Sequence, residues 1–196
     1  GALTGTWTTS GTGSFSPSDD YATATSYVPS SADIAAGSVT LTLTANDPDG
    51  TGPCTEASSA VTLTILTTPT VSISGTLSFC TGSSTTLTAS GAASYVWSNA
   101  ATTAATSVTA GGSYSVVGTA ANGCTASASA SVTENSLPAA PSITEGGATT
   151  FCDGGSVTLT SSYTGGNTWS NSATTDAITA STSGSYTVMY TDGNGC

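Results

Sequence analysis

Five cysteines, three tryptophans and eleven carboxylates are the side chains in this sequence best equipped for chemistry, and the partners that chemistry usually needs are missing. There is no His, Lys or Arg anywhere in the 196 residues. A serine or cysteine nucleophile needs a neighbouring base to take its proton. General acid–base work near neutral pH falls mostly to His, or to Lys with a shifted pKa. The 34 Ser and 42 Thr therefore have nothing to activate them. No catalytic residue, no cofactor and no enzymatic activity are expected.

The remaining candidates are of three kinds. Cys54, Cys80, Cys124, Cys152 and Cys196 sit in a chain of extracellular composition and read as disulfide partners. A zinc site has little support without His and without a Cys-x-x-Cys pair. Trp7, Trp97 and Trp169 are candidate sugar-stacking platforms. Their regular placement favours instead the buried tryptophan of a central sandwich strand. Tyr114 and Tyr186 likewise read as core or corner tyrosines. Asn46-Asp47-Pro48-Asp49-Gly50 gathers carboxylates in one loop, with Asp19-Asp20 on the same segment, which makes Asp47 and Asp49 calcium candidates. Calcium takes six to eight oxygens, more than this loop supplies, so an Asx turn with Pro and Gly is the expectation and no metal site is assigned.

Composition closes further doors. Eleven acidic residues stand unopposed, for a formal charge of -11. Nucleic-acid binding needs cations to displace counterions from phosphate, and docking on an anionic membrane surface has the same requirement. No run of about 18 apolar residues exists, so direct membrane insertion is not expected. The absence of Lys and Arg also removes every trypsin site, which suits a protein exposed to outside proteases.

The elements that must position these residues are strands. Val39 to Thr44, Val61 to Ile65, Thr86 to Thr88 and Val157 to Thr160 alternate apolar and hydroxyl residues, the signature of a half-buried strand. Nothing longer than a turn shows a helical period, and the chain is expected to be all β. The deciding feature is an internal repeat. Residues 79–124 align with 151–196 at an offset of 72 without a gap, and 23 of the 46 positions are identical. Phe79-Cys80 matches Phe151-Cys152, Trp97-Ser98-Asn99 matches Trp169-Ser170-Asn171, and Gly112-Ser113-Tyr114 matches Gly184-Ser185-Tyr186. Asn122-Gly123-Cys124 matches Asn194-Gly195-Cys196.

The first 66 residues follow the same plan more distantly, and Pro-bearing linkers at Pro69 and at Pro138 to Pro141 separate the units. Three repeats result: 1–66, 69–136 and 140–196. The first lacks opening strands and the last stops before a closing strand, so an array longer than this chain is expected. Six or seven short strands per repeat suggest tandem immunoglobulin-like Greek-key β-sandwiches. In the middle repeat the strands are expected at Thr70–Ser74, Thr85–Ser90, Ser94–Ser98, Ala105–Thr109, Ser113–Thr119 and Thr125–Thr133.

Topology bears on the cysteines. In such a sandwich the second and sixth strands run parallel, which puts Cys80 and Cys124 at opposite poles, about 20 Å apart along a six-residue strand. A disulfide needs Cα atoms within about 7 Å. Topology therefore favours Cys80–Cys196, between neighbouring repeats, over Cys80–Cys124 and Cys152–Cys196 within them. Both pairings stay open at this point.

Cys80-Thr81-Gly82-Ser83-Ser84, Tyr95-Val96-Trp97-Ser98-Asn99, Gly112-Ser113-Tyr114-Ser115-Val116 and Asn122-Gly123-Cys124 together resemble the Ig-like repeats of giant type IX-secreted cell-surface adhesins of Bacteroidota, of which gliding-motility adhesins are examples. Gly5-Thr6-Trp7, Tyr27-Val28-Pro29 and Ala32 to Gly37 are similar to a sister repeat class of the same proteins. The resemblance implies a secreted, cell-surface location and a structural stalk or filament. Its partners would be neighbouring repeats and the secretion or motility machinery. Carbohydrate- or calcium-binding modules, or spacers of a secreted hydrolase, are the alternatives.

Overall fold

The computed structural model describes residues 5–16, 25–47 and 56–196. The described chain is almost entirely β and divides into two compact units. One comprises the chain up to Thr70 together with Gly91–Ala93 and Gly118–Ala126. The other comprises Val71–Ser90, Ser94–Val117 and Ser127–Cys196.

In the first unit, β1 (Gly5–Thr9), β4 (Ser38–Ala45) and β5 (Ser58–Thr64) form an antiparallel sheet in the order β1-β4-β5, while β2 (Ser14–Ser16) pairs with β3 (Ser26–Val28). Alternation along β4 turns Val39 and Leu41 inward, 2% and 7% exposed. Strand β5 carries the same alternation, yet all its residues are exposed. A short helix, α1 (Ser31–Ala36), interrupts the β plan. Six residues are under two turns, too few to show a 3.6-residue period, which is why alternation alone does not reveal it. Its ends are nonetheless well defined. Ser30 caps the first turn through Asp33 in a capping box, and Gly37, at φ 75°, closes the C-terminus in the left-handed conformation that glycine adopts freely.

The middle repeat is the most complete. Strands β6 (Ser72–Gly75), β8 (Thr85–Ser90) and β10 (Ala105–Val108) form one antiparallel sheet in the order β10-β8-β6. Strands β7 (Ser78–Cys80), β9 (Ser94–Trp97), β11 (Gly112–Thr119) and β12 (Thr125–Asn135) form another, in the order β7-β12-β11-β9. Strand β7 was not anticipated, since three residues cannot show alternation. It exists because it pairs in parallel with the end of β12, Ser78 opposite Thr133 and Cys80 opposite Asn135. Leu87, Ala89 and Val108 from one sheet meet Phe79, Trp97, Val116 and Val132 from the other in a single core.

The last repeat builds a smaller version. Strands β13 (Ile143–Glu145), β14 (Val157–Ser161) and β16 (Ala177–Ala180) form one sheet, and β15 (Asn167–Trp169) pairs with β17 (Val188–Tyr190). Its core holds Val157, Leu159, Trp169, Ile178 and Ala180.

Candidate functional site

The repeated motifs turn out to be parts of a scaffold. Trp97 and Trp169 are each 2% exposed. Their indole Nε1 groups donate to Thr103 O at 3.0 Å and Thr175 O at 2.8 Å, equivalent positions in the two repeats. Each tryptophan opens a tight turn in which the third residue on, Ala100 or Ser172, adopts φ 66°. Asn99 and Asn171 brace that turn by accepting from Ala101 N at 3.2 Å and Ala173 N at 3.1 Å. The Trp-Ser-Asn motif is thus a core anchor joined to its own turn. Tyr114 and Tyr186 are half-buried, and their hydroxyls donate four residues back, to Ala110 O at 2.9 Å and Thr182 O at 3.1 Å. Trp7 differs from its expected core role. It is only half-buried, its ring 6.3 Å from Phe15, which lies 5.2 Å from Tyr27.

Among the described residues the cysteines give one covalent link. Cys80 is bonded to Cys196, with Cα atoms 5.6 Å apart and a separation of 116 positions in sequence. This is the pairing between repeats that topology favours, and it rules out Cys80–Cys124 and Cys152–Cys196. Cys124 and Cys152, expected in disulfides, are free thiols, half-buried and exposed respectively. The reason is that both partners a within-repeat scheme would give them are already bonded to each other. Cys54 lies outside the described residues.

A carboxylate shapes the turn that delivers Cys196. Asp192 Oδ1 accepts from Asn194 N and Cys196 N, both at 2.9 Å, while its own N–H donates to Cys196 O at 2.7 Å. The N–H of Cys196 foremost, then that of Asn194, holds the Asp192 carboxyl below the usual carboxylate range, and partial burial opposes them. In the middle repeat Asn122 Oδ1 takes this role toward Cys124 N at 3.0 Å, while its Nδ2 donates to Thr67 O at 3.0 Å. Asn-Gly-Cys is therefore a turn that presents a cysteine at the tip of a repeat.

Two polar clusters escaped the sequence reading. Asp33, 4% exposed, accepts from Thr12 N, Gly13 N, Ser30 N and the Tyr27 hydroxyl at 2.7 to 3.0 Å. The backbone N–H of Ser30 contributes most, followed by that of Thr12, and the carboxyl is held far below its ordinary range. Ser30 and Asp33, three residues apart, were the available signal. In the last repeat buried Asn167 accepts from Ser161 Oγ at 2.8 Å and donates to Tyr163 O at 2.8 Å and Asp176 Oδ1 at 3.2 Å. Tyr163 and Tyr190 stack beside it at 3.9 Å. The middle repeat has Tyr95, Ala89 and Ala104 at the positions of Asn167, Ser161 and Asp176, so nothing in the repeat pattern announces this cluster.

Among the described residues no buried side-chain polar atom lacks a hydrogen-bond partner, and no three His, Cys, Asp or Glu side chains gather as metal ligands would. Asp47 is half-buried and Asp49 lies outside the described residues. No helix among them is long and apolar enough to cross a membrane. No family model and no curated protein matches the chain.

Proposed function

We propose that this chain is the structural repeat region of a secreted bacterial cell-surface adhesin or filament, with no catalysis of its own. The observation that carries this reading is the Cys80–Cys196 bond, which joins one repeat to the next instead of closing a single one. Chemistry invested in a junction serves the geometry of an array, and the polar groups around it serve turns. The interpretation of the repeats as immunoglobulin-like is part of the proposal. One sheet of the middle repeat takes its first, third and fifth strands and the other its fourth, sixth and seventh, with the second at the edge. That partition corresponds to strands A, B and E against C, F and G, with Trp97 on the C-strand equivalent. Tyr114 near the start of the sixth strand, bonded back to Ala110 O, occupies the place of a tyrosine corner.

The resemblance to type IX-secreted adhesins supplies the proposed location, outside the cell, and the proposed partners, neighbouring repeats and the secretion or motility machinery. Negative-stain imaging of the intact parent protein released from cells tests the reading. A thin beaded filament many repeats long is the expected result. A compact particle with one globular head and a short tail would overturn it, and would leave these repeats as spacers.

A further inference from the structure

The last repeat carries two aromatic side chains that the middle repeat lacks at both equivalent positions. At the offset of 72, Tyr163 falls on Gly91 and Tyr190 on Gly118. Glycine stands at both places in one repeat and tyrosine at both in the other, so the rings come as a pair. Tyr163 lies just after β14, and Tyr190 ends β17. Those strands belong to different sheets, so the pair bridges from one sheet to the other. In the immunoglobulin-like reading they are strands B and F, the two that a disulfide joins in antibody domains. Neither strand carries a cysteine here.

The two rings lie parallel, with 6° between their planes and centroids 3.9 Å apart. Packing by itself favours aromatic pairs with centroids about 4.5 to 7 Å apart. The Trp7–Phe15 and Phe15–Tyr27 contacts of the first unit fall in that range, at 6.3 and 5.2 Å, and both are tilted. Three features hold the closer stack. The Tyr163 hydroxyl donates to Ala139 O at 3.2 Å. Tyr190 is fixed in the β15–β17 ladder opposite Asn167. Gly166, at φ 69°, leaves the second ring its room, because a Cβ there would stand 3.1 Å from Tyr190 Cε2. Both tyrosines are half-buried, so the rings are held in place and still meet solvent.

We propose that Tyr163 and Tyr190 are an oxidative cross-linking site, at which a dityrosine bond ties the two sheets of the last repeat together. The oxidant is hydrogen peroxide acting through a haem peroxidase. Each phenol gives up one electron to the peroxidase and its proton to water, leaving two phenoxyl radicals. Part of the unpaired spin sits on the ring carbons ortho to oxygen. In a parallel stack the π lobes of those carbons point across the gap at the facing ring. A carbon–carbon bond forms between one ortho carbon of each ring. The hydrogen on each joined carbon then leaves as a proton while the phenol oxygen regains one, which restores both aromatic rings. The sum is two electrons and two protons lost, and these reduce one hydrogen peroxide to two waters. The bond closes a loop of 27 positions (190 − 163) and restrains the chain as a disulfide would. The site does not depend on whether the array is a stalk, a filament or a spacer.

The test treats the full chain, dilute and with its free thiols alkylated, with a haem peroxidase and hydrogen peroxide. Dityrosine fluorescence is expected to appear at a rate per chain that does not vary with protein concentration. Peptic digestion is expected to yield one dominant cross-linked product, a Tyr163 fragment joined to a Tyr190 fragment and lighter than their sum by two hydrogens. Tyr163→Phe and Tyr190→Phe keep a ring in the stack but cannot form the radical, and each should abolish that product. In the cross-linked chain the amides of Val157–Ser161 and Val188–Tyr190 should exchange about tenfold slower or more, with those of Thr85–Ser90 unchanged. Cross-links spread over Tyr21, Tyr27, Tyr95, Tyr114 and Tyr186, or forming only between chains, would overturn the proposal. A Tyr163–Tyr190 bond that leaves the exchange of both strands unchanged would overturn the claim that it ties the sheets.

Discussion

Replacing Cys196 with Ser is expected to loosen the last repeat far more than the middle one, and the size of the effect follows from where the bond sits. Cys80 lies opposite Asn135 in the β7–β12 ladder. While the middle repeat is folded, the chain leaves it at Asn135, beside Cys80, and returns to the same place at Cys196. The loop that the bond closes therefore runs 61 residues (196 − 135), about half of the 116 that separate the cysteines. A loop of that length carries roughly 4 kcal/mol of closure entropy. When the last repeat opens with the bond intact, its chain stays tethered at both ends; without the bond one end is free. Hydrogen exchange resolved on peptic fragments reads the two repeats separately. Amides of Val157–Ser161 and Ala177–Ala180 should exchange up to about a thousandfold faster in Cys196→Ser. Amides of Thr85–Ser90 and Ala105–Val108 should change far less. Cys80→Ser should reproduce the pattern, since either change removes the same bond. Equal acceleration in both repeats would refute this reasoning by showing that they open as one, and no acceleration in either would show that the bond constrains nothing.

Three further outcomes follow from single residues. Ala100 holds φ 66°, a conformation that costs a side-chain-bearing residue about 1 kcal/mol or more. Ala100→Gly should therefore stabilise the middle repeat, and Ser172→Gly the last, by a net few tenths to about 1 kcal/mol each after the entropy cost of glycine, read as a higher melting temperature. Trp169→Phe removes the indole hydrogen bond to Thr175 O and leaves unfilled space at a site 2% exposed, so it should cost about 2 to 4 kcal/mol in a urea titration. Asp33 has a folded-state pKa below its ordinary 3.8, so its contribution to stability is complete above about pH 4 and is lost as pH falls. Asp33→Asn should destabilise the first unit at neutral pH, and its deficit relative to the parent should shrink in acid. A deficit that does not vary with pH would remove ionisation from the account.

The sequence was most legible where alternation and repetition coincide. Thr85–Ser90 was delimited to the residue, and Ala105–Thr109 and Ser94–Ser98 each to within one. Alternation carries this information because one face of each strand is buried and the other is not. The elements that went unread have no such asymmetry to display. Ser78–Cys80 is a strand only through its partner, and its twin in the last repeat shows that the local residues alone do not suffice. The helix at Ser31–Ala36 is fixed by its caps and by the hydrogen bonds converging on Asp33, which connect residues up to 21 positions apart. The disulfide was within reach because pole-to-pole distance is a property of topology. The state of Cys124 and Cys152 was not, since residue type gives no sign of which thiols find a partner.

The bond at the junction also fixes what tension can do. A pull between Thr70 and Cys196 passes from Cys80 directly into Cys196 and bypasses the 115 residues from Thr81 to Gly195. Fully drawn out, those residues would add nearly 400 Å of contour. While the bond is oxidised, unravelling either repeat releases almost none of that length, so the segment behaves as a strap of fixed reach. Reduction turns the same segment into slack. The compliance of this stretch of the chain is thus set by the redox state of its surroundings rather than by the stability of its folds.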